Sequence, residues 1–205
     1  MNRRESLKLG ASIVAGLAIA PVLHASEKTP EKQSPESFLD VIKKRRSVRE
    51  FKSDPVPEEH LLKIVDAARM APCAGNEQAW KFIIVQDKKL IEALKKECVK
   101  IYGQGVTGRF SAPAYIVVLA DSQRQYPGYN QHDGPLAAGY LLLAARALGY
   151  GTVYMTDSVP AAVTKKVLNI PDRYIQVCVT PVGVPVEWPT QEKKALNEFI
   201  VREKF

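Results

Sequence analysis

Helix-like and strand-like patterns alternate along most of the chain after residue 35. Apolar residues recur at helical spacing in SPESFLDVIKKRR, with Ser34 as a candidate N-cap. They also do so in PEEHLLKIVDAARM, where one face carries Leu61, Ile64, Val65 and Ala68. KKLIEALKKECVKIY and PAAVTKKVL predict two more helices, whereas LAAGYLLLAARALG is apolar almost all round and predicts a core or interface helix. WKFIIV, AYIVVLA, GTVYMT and YIQVCVTPVGV predict strands. Together these patterns predict an α+β fold with a central sheet.

The first 25 residues carry a different pattern, which is typical of an export signal. Arg3, Arg4 and Lys8 precede an uncharged apolar run, and RRESLK has the order of a twin-arginine signal. The apolar run is shorter than the roughly 20 residues of a membrane-spanning helix. Residues 1–25 are therefore predicted to be a twin-arginine-type signal peptide that directs the protein to the periplasm. The alternative is that they remain uncleaved as a membrane anchor.

The remainder divides into a short linker and one domain. Residues 26–35, SEKTPEKQSP, are polar, charged and interrupted by two prolines, which predicts a linker. Residues 36–205, about 170 in all, are enough for one domain with a full hydrophobic core.

Composition limits the chemistry that this domain can perform. The full chain has a net charge of +7, and without Arg3, Arg4, Lys8 and Glu5 of the predicted signal the charge is about +5, which fits an anionic small ligand as well as it fits nucleic acid. Because aromatic residues are not interleaved with the basic clusters, no nucleic-acid partner is predicted. Cys73, Cys98 and Cys178 have neither disulfide-framework nor zinc-site spacing. With His60 and His132 as the only histidines of the domain, and no HExxH or GxSxG motif, neither a metal site nor a serine nucleophile is predicted. GQGVTG at residues 103–108 follows a predicted helix instead of a strand, so it does not indicate a dinucleotide site.

A cluster of cations crosses the end of the first predicted helix. Lys43 and Lys44 suit a helix C-terminus, where the macrodipole favours positive charge. Arg45, Arg46, Ser47 and Arg49 continue past that end into an extended segment. Guanidinium groups and a serine hydroxyl around one point are good ligands for phosphate. The alternative is a solvated helix end.

The second group of chemically informative residues lies in APCAGNEQAWKFIIV. A loop of small residues, 72–75, leads into Asn76, Gln78 and Trp80, and then into a strand. Asn76 offers both donors and acceptors, as the edge of a heteroaromatic ring requires. The alternative is a turn rich in helix breakers, with Trp80 in the core.

Together these two stretches resemble the nitroreductase family of FMN-dependent oxidoreductases, which carries R-[RH]-S-x-[RK]-x-F and then N-x-Q-P-W. Further matches follow in the family's order: APAYIVVLAD, LLLAARALGYGTVYMT, IPDRYIQVCVTPVGVPVE and KKALNEF. The resemblance covers Phe38 to Phe205. It implies an α+β fold with a central mixed or antiparallel sheet flanked by helices, in an obligate homodimer that binds FMN at its interface.

The resemblance also implies the cofactor-binding residues. The arginine segment is expected at the FMN phosphate and ribityl chain, the Asn76 loop of the partner subunit at the ring, and Tyr154 to Asp157 beside N5 and the pyrimidine edge. Two lysines of the tail add a second phosphate contact. The full set is Arg45, Arg46, Ser47, Arg49, Pro72, Cys73, Ala74, Asn76, Gln78, Thr156, Asp157, Lys193 and Lys194.

Some positions depart from the family pattern or allow two interpretations. Ala79 replaces the usual proline, and Asp157 stands where many relatives have glycine. Tyr126 and Tyr129 are candidates for lining the ring face, and the alternative is a loop packed by its own aromatics.

The implied activity is two-electron transfer by ping-pong chemistry, in which flavin N5 supplies the reactivity and no side chain acts as a catalytic nucleophile. A small-molecule donor, NAD(P)H in many relatives, reduces the flavin, and a nitro, quinone or similar acceptor then oxidises it. The alternatives are an electron-relay or other non-catalytic flavoprotein, and a specialised branch such as a reductive dehalogenase. Nicotinamides are scarce outside the cytoplasm, so either the signal is retained as an anchor or the donor is another compound, such as a quinol or a redox partner.

Overall fold

A computed structural model of the protein describes residues 37–205. The predicted signal and linker, residues 1–25 and 26–35, lie outside the described residues. The described residues form one compact unit. Its elements, in chain order, are α1 Phe38–Lys44, α2 Glu58–Ala68, β1 Trp80–Val85, α3 Lys88–Tyr102, β2 Ala114–Asp121, α4 Asn130–Ala147, β3 Gly151–Thr152, α5 Ala161–Leu168 and β4 Tyr174–Gly183.

The four strands form one antiparallel sheet in the order β1-β2-β4-β3. The α+β class and the central sheet flanked by helices are therefore confirmed. The predicted strand GTVYMT is only partly correct, because regular pairing ends at Thr152. The Val153 carbonyl instead accepts a hydrogen bond from the Thr180 hydroxyl, and Met155 resumes the same antiparallel register opposite Val179.

The core lies on both faces of the sheet, with β2 at its centre. Tyr115, Val117 and Leu119 of β2 pack in a cluster with α3 and α5, whereas Ile116 and Val118 pack with α2 and α4. Because successive side chains of a strand point to opposite faces, burial on both faces explains why AYIVVLA is apolar without interruption.

Two helix boundaries differ from the sequence prediction. Helix α1 begins at Phe38 and is capped by Ser37, whose hydroxyl accepts a hydrogen bond from the Asp40 N–H at 3.2 Å, so the Ser34 assignment was wrong. Helix α4 begins at Asn130, before the apolar run that predicted it. Ala137 and Leu141 of this helix are buried, whereas Tyr140 is exposed. The helix therefore carries apolar or aromatic residues on its exposed side as well as on its buried side.

None of the helices within residues 37–205 combines the length and the hydropathy needed to span a bilayer. Helix α3 is followed by Gly103 and a 3₁₀ stretch, Gln104–Phe110. GQGVTG thus lies after a helix, as predicted, and does not begin an α-helix.

Candidate functional site

The arginine segment is an extended strip along the β3 edge of the sheet. Ser47 forms a parallel bridge with Thr152, and the Val48 N–H donates to the Thr152 carbonyl at 3.0 Å. Farther along, the Lys52 N–H donates to the Val184 carbonyl at 2.8 Å. Val48 is buried against Gly151, where an added Cβ would lie 2.7 Å from a Val48 methyl group. This close packing fixes the backbone from which the arginines project.

Arg46 joins the end of α1 to the C-terminal tail. Its guanidinium donates to the carbonyls of Lys43 at 2.6 Å and Arg45 at 2.9 Å, and its Nε donates to the Gln191 carbonyl at 3.1 Å. The contacts of Arg46 with the Lys43 and Arg45 carbonyls are those of a cation at a helix end. The contact with the Gln191 carbonyl brings the tail to the arginine segment.

Arg45 is a half-buried cation. Burial lowers the pKa of its guanidinium, and the adjacent charge of Arg46 lowers it further. Among residues 37–205, no carboxylate forms an ion pair with Arg45, and its side chain has no hydrogen-bond partner. An anionic group beside Ser47 would relieve both effects, so these residues fit a phosphate.

The segment after β3 lies next to this strip. Met155 is buried, Thr156 and Asp157 are exposed, and the Tyr102 hydroxyl donates to the Asp157 carbonyl at 2.7 Å. Arg49, Tyr154 and Ser158 line one cavity of about 240 Å³. Lys193 and Lys194 follow Gln191 in the exposed tail, where the Lys194 ammonium lies 3.6 Å from Glu198. The arginine segment, the segment after β3 and the start of the tail are thus neighbours in one chain.

The Asn76 loop has an unusual backbone. Gly75, Asn76 and Gln78 have positive φ angles of 57°, 55° and 51°, and two of the three carry side chains. The Gln78 N–H donates to the Cys73 sulfur at 3.3 Å, and its side-chain amide donates to Asn76 Oδ1 at 3.3 Å. Non-glycine residues with positive φ cost free energy and are concentrated at functional sites. The backbone of this loop is therefore of the kind concentrated at functional sites.

A buried ion cluster supports that loop, and its residues were missed by the sequence analysis. The side chain of Arg124 is only 2% exposed, and its Nη2 lies 2.6 Å from Glu77 and 2.7 Å from Asp133. Asp133 also accepts a hydrogen bond from the Ala74 N–H at 3.2 Å. Burial alone would lower the pKa of Arg124, but the bonds to Asp133 and Glu77 raise it. Within the sequence, the only signal was an acidic residue one turn before the apolar run of α4.

Tyr126 and Tyr129 lie beside the Asn76 loop. Tyr126 packs directly on Gly75, so that any side chain at position 75 would overlap its ring. Its ring centroid lies 6.2 Å from that of Tyr129, which in turn lies 5.7 Å from His132. These contacts are those of a loop packed by its own aromatics. Because both rings are also about half exposed, the lining role stays a prediction.

The structure does not bring the two parts of the predicted site together in one chain. The Asn76 loop precedes Trp80, which aligns through Ala120 with Ile175 near the start of β4, whereas Ser47 aligns through Thr152 with Val182 near its end. Seven residues of a strand span about 23 Å, and β1 is three strand spacings of about 4.8 Å from β3. Each part is ordered, but they lie at opposite corners of the sheet.

The sequence matches the Nitroreductase family over residues 42–108 and 107–184. The chain belongs to the nitroreductase family. A relative from Methanothermobacter thermautotrophicus, provisionally named an NADH dehydrogenase/NAD(P)H nitroreductase, is 36% identical over 77% of this chain and 82% of its own length. The iodotyrosine deiodinase of Thermotoga neapolitana is 33% identical over 80% of this chain and 96% of its own length.

Solved structures of the nitroreductase family share the fold. An iodotyrosine deiodinase bound to FMN and 3-iodo-L-tyrosine superimposes with a TM-score of 0.70 at 28% identity, covering 82% of this chain and 100% of that one. The FMN-dependent nitroreductase from Clostridium difficile R20291 also gives 0.70 at 28% identity, covering 82% and 99%.

Proposed function

We infer that this nitroreductase-family chain is an FMN-dependent oxidoreductase that passes two electrons from a small-molecule donor to nitro, quinone or similar conjugated acceptors. The observation that carries this proposal is Arg45, a half-buried cation with no carboxylate partner among residues 37–205, in a segment that also offers Ser47 and Arg49. FMN combines a phosphate with a planar ring, and the relatives in which it is bound share this fold.

The residues present suit the parts of FMN. Arg45 and Ser47 would hold the phosphate, and Lys193 and Lys194 would add positive charge from the tail. The segment Tyr154–Asp157 would run along the ring edge, and Asn76 would hydrogen-bond to the ring. Bound FMN supplies hydride chemistry at its ring, while the protein binds, orients and shields it.

We propose that the site is completed by a second copy of the chain. Asn76 lies at the corner of the sheet opposite Arg45, so the partner subunit would supply the loop Pro72–Gln78. An apolar groove of about 440 Å³ between α1, α2 and α4 is open to solvent in the single chain, with Phe38 67% and Tyr140 43% exposed. Exposed apolar surface of this kind is typical of protein–protein interfaces. A homodimer would cover it.

A second candidate function is reductive dehalogenation. It is favoured by the 33% identity to the Thermotoga neapolitana iodotyrosine deiodinase and by the fold shared with the deiodinase bound to 3-iodo-L-tyrosine. Reduction of 3-iodotyrosine and of a simple quinone by the same preparation would separate the two. Iodide release at a rate comparable to quinone reduction would favour dehalogenation.

We also propose export to the periplasm by the twin-arginine route, on the basis of RRESLK and the apolar run that follows. The alternative, an uncleaved membrane anchor, would keep the domain at the membrane surface. After export, a quinol or a redox protein would be a more available donor than NAD(P)H.

The absorption spectrum of the purified protein tests the function directly. We expect a two-band flavin spectrum and one FMN per subunit, bleached anaerobically by NADH, NADPH or a quinol. Rapid bleaching followed by recovery with a quinone would establish an enzyme, whereas slow bleaching with every small donor would favour a relay protein. A colourless protein that takes up no added FMN would refute the proposal.

A further inference from the structure

The cavity of about 240 Å³ beside the arginine segment has two arginines in its wall and no carboxylate. Arg49 enters it from the extended segment, and Arg109 enters it from the 3₁₀ stretch before β2. The other lining residues are a serine and five apolar or aromatic residues: Ser158, Phe51, Val153, Tyr154, Met155 and Pro181. Such a cavity suits a flat ligand with an electron-rich edge.

The backbone holds both arginines at the cavity. The Tyr115 hydroxyl, which is fully buried, donates to the Arg109 carbonyl at 3.0 Å. The Ser111 hydroxyl reaches the Arg49 carbonyl at 3.4 Å. These contacts join the 3₁₀ stretch to β2, and the short loop between them to the arginine segment.

Neither guanidinium is neutralised by an acidic side chain in the part of the chain that the structure describes. Arg49 donates only to the Ser47 carbonyl, at 3.3 Å. By contrast, Arg69, Arg124 and Arg173 each form an ion pair with an aspartate. Two like charges that face one cavity favour a negative or electron-rich group between them.

We propose that Arg109 is a second cofactor-binding cation, which acts together with Arg49 on the electron-rich edge of the flavin ring. The inference rests on the proposed function, because it places the ring against Tyr154–Asp157, and Tyr154, Met155 and Ser158 form one wall of this cavity. A ring held there presents its edge to both guanidinium groups. Positive charge at that edge favours the reduced, more electron-rich form of the cofactor over the oxidised form.

The test compares Arg109→Gln and Arg109→Lys with the wild-type protein, all loaded with FMN. The control is Lys63→Gln, which removes one positive charge from the exposed surface of α2, on the other face of the sheet. The readouts are the affinity for oxidised FMN and the midpoint potential of the bound cofactor in an equilibrium titration against a reference dye.

We expect Arg109→Gln to change the affinity for oxidised FMN little and to weaken the reduced form about tenfold. For a two-electron couple, this corresponds to a midpoint potential lowered by about 30 mV. Arg109→Lys should keep most of the wild-type potential, since it keeps the charge, and Lys63→Gln should match the wild type.

The two possible failures are distinguishable. If wild-type protein holds FMN but Arg109→Gln and Lys63→Gln have the same potential, the role of Arg109 is refuted and the proposed function stands. If Arg109→Lys loses as much as Arg109→Gln, charge is not the cause and the inference is also wrong. If wild-type protein holds no FMN, both the function and the inference fail.

Discussion

At the residue scale, Gly75 is a position of the Asn76 loop where any side chain would disturb the site. Its φ of 57° is in the left-handed region, and Tyr126 covers the position that a Cβ would occupy. A residue with a side chain would face both a backbone cost and an overlap. Asn76 and Gln78 adopt the same backbone region although they carry side chains, and asparagine tolerates this region better than most residues.

We therefore predict that Gly75→Ala destabilises the protein and impairs FMN binding. The left-handed conformation costs a residue with a Cβ about 1–2 kcal/mol, and the overlap with Tyr126 adds to this cost. Gly105→Ala is the matched control, because Gly105 has open space around its Cβ position and no positive φ. Urea unfolding of the two variants, with FMN affinity measured in parallel, gives the comparison. Equal stability of both variants would contradict the prediction.

At the element scale, the Arg124 cluster joins three parts of the chain that are separate in sequence. Glu77 follows the 3₁₀ turn Ala74–Asn76, Arg124 lies between β2 and α4, and Asp133 is in the first turn of α4. Removing one partner from a buried ion pair leaves the others as uncompensated charges. The cluster therefore holds the Asn76 loop in place even though none of its members is expected at the cofactor.

We predict that Arg124→Met destabilises the protein by about 3–5 kcal/mol, because Glu77 and Asp133 lose their buried partner. Arg69→Met is the control: its ion pair with Asp66 is exposed, so its loss should cost about 1 kcal/mol or less. Denaturant midpoints of the two variants test the difference.

A second substitution separates charge from packing. Adding Glu77→Gln to Arg124→Met should recover part of the lost stability, since a neutral amide needs no counter-charge. No recovery would mean that Arg124 acts through packing instead.

At the scale of the whole molecule, the Arg45 and Asn76 parts of the site lie at opposite corners of one sheet. Each part is anchored in its own corner by backbone hydrogen bonds and buried contacts, so the two remain apart within one chain. A shared site in a symmetric dimer would bring them together, since in a two-fold interface one part of each copy can contact the other part of its partner, and the reverse contact forms as well.

Mixing two defective variants tests whether the site is shared. We predict that Arg45→Glu and Asn76→Ala each bind FMN poorly, and that co-expression restores binding in about a quarter of the sites, as expected for random pairing in a two-fold dimer. Sedimentation analysis should show dimers in all three samples. If the mixed dimers bind no more FMN than the separate variants, both parts would have to come from one copy or from elsewhere.

The sequence was sufficient to predict those features that depend on local patterns. Continuous apolar runs identified β1, β2 and β4, and the order of short motifs identified the family. The length of β3 could not be predicted. The pattern of GTVYMT is that of a strand throughout, but in the structure the Val153 carbonyl accepts its hydrogen bond from the Thr180 hydroxyl instead of from a strand neighbour. Arg109 and Arg124 were missed for a similar reason: their importance comes from long-range neighbours, and nothing beside them in the sequence distinguishes them from solvated arginines.

The strip from Ser47 to Lys52 has a further consequence for solubility. Its backbone pairs with Thr152 and Val184 and so covers one open edge of the sheet. Uncovered strand edges invite pairing with other chains and aggregation. The same six residues thus carry two of the predicted cofactor ligands, Ser47 and Arg49, and protect a vulnerable edge. A change that loosens this strip would therefore expose the protein to aggregation as well as weaken its cofactor site.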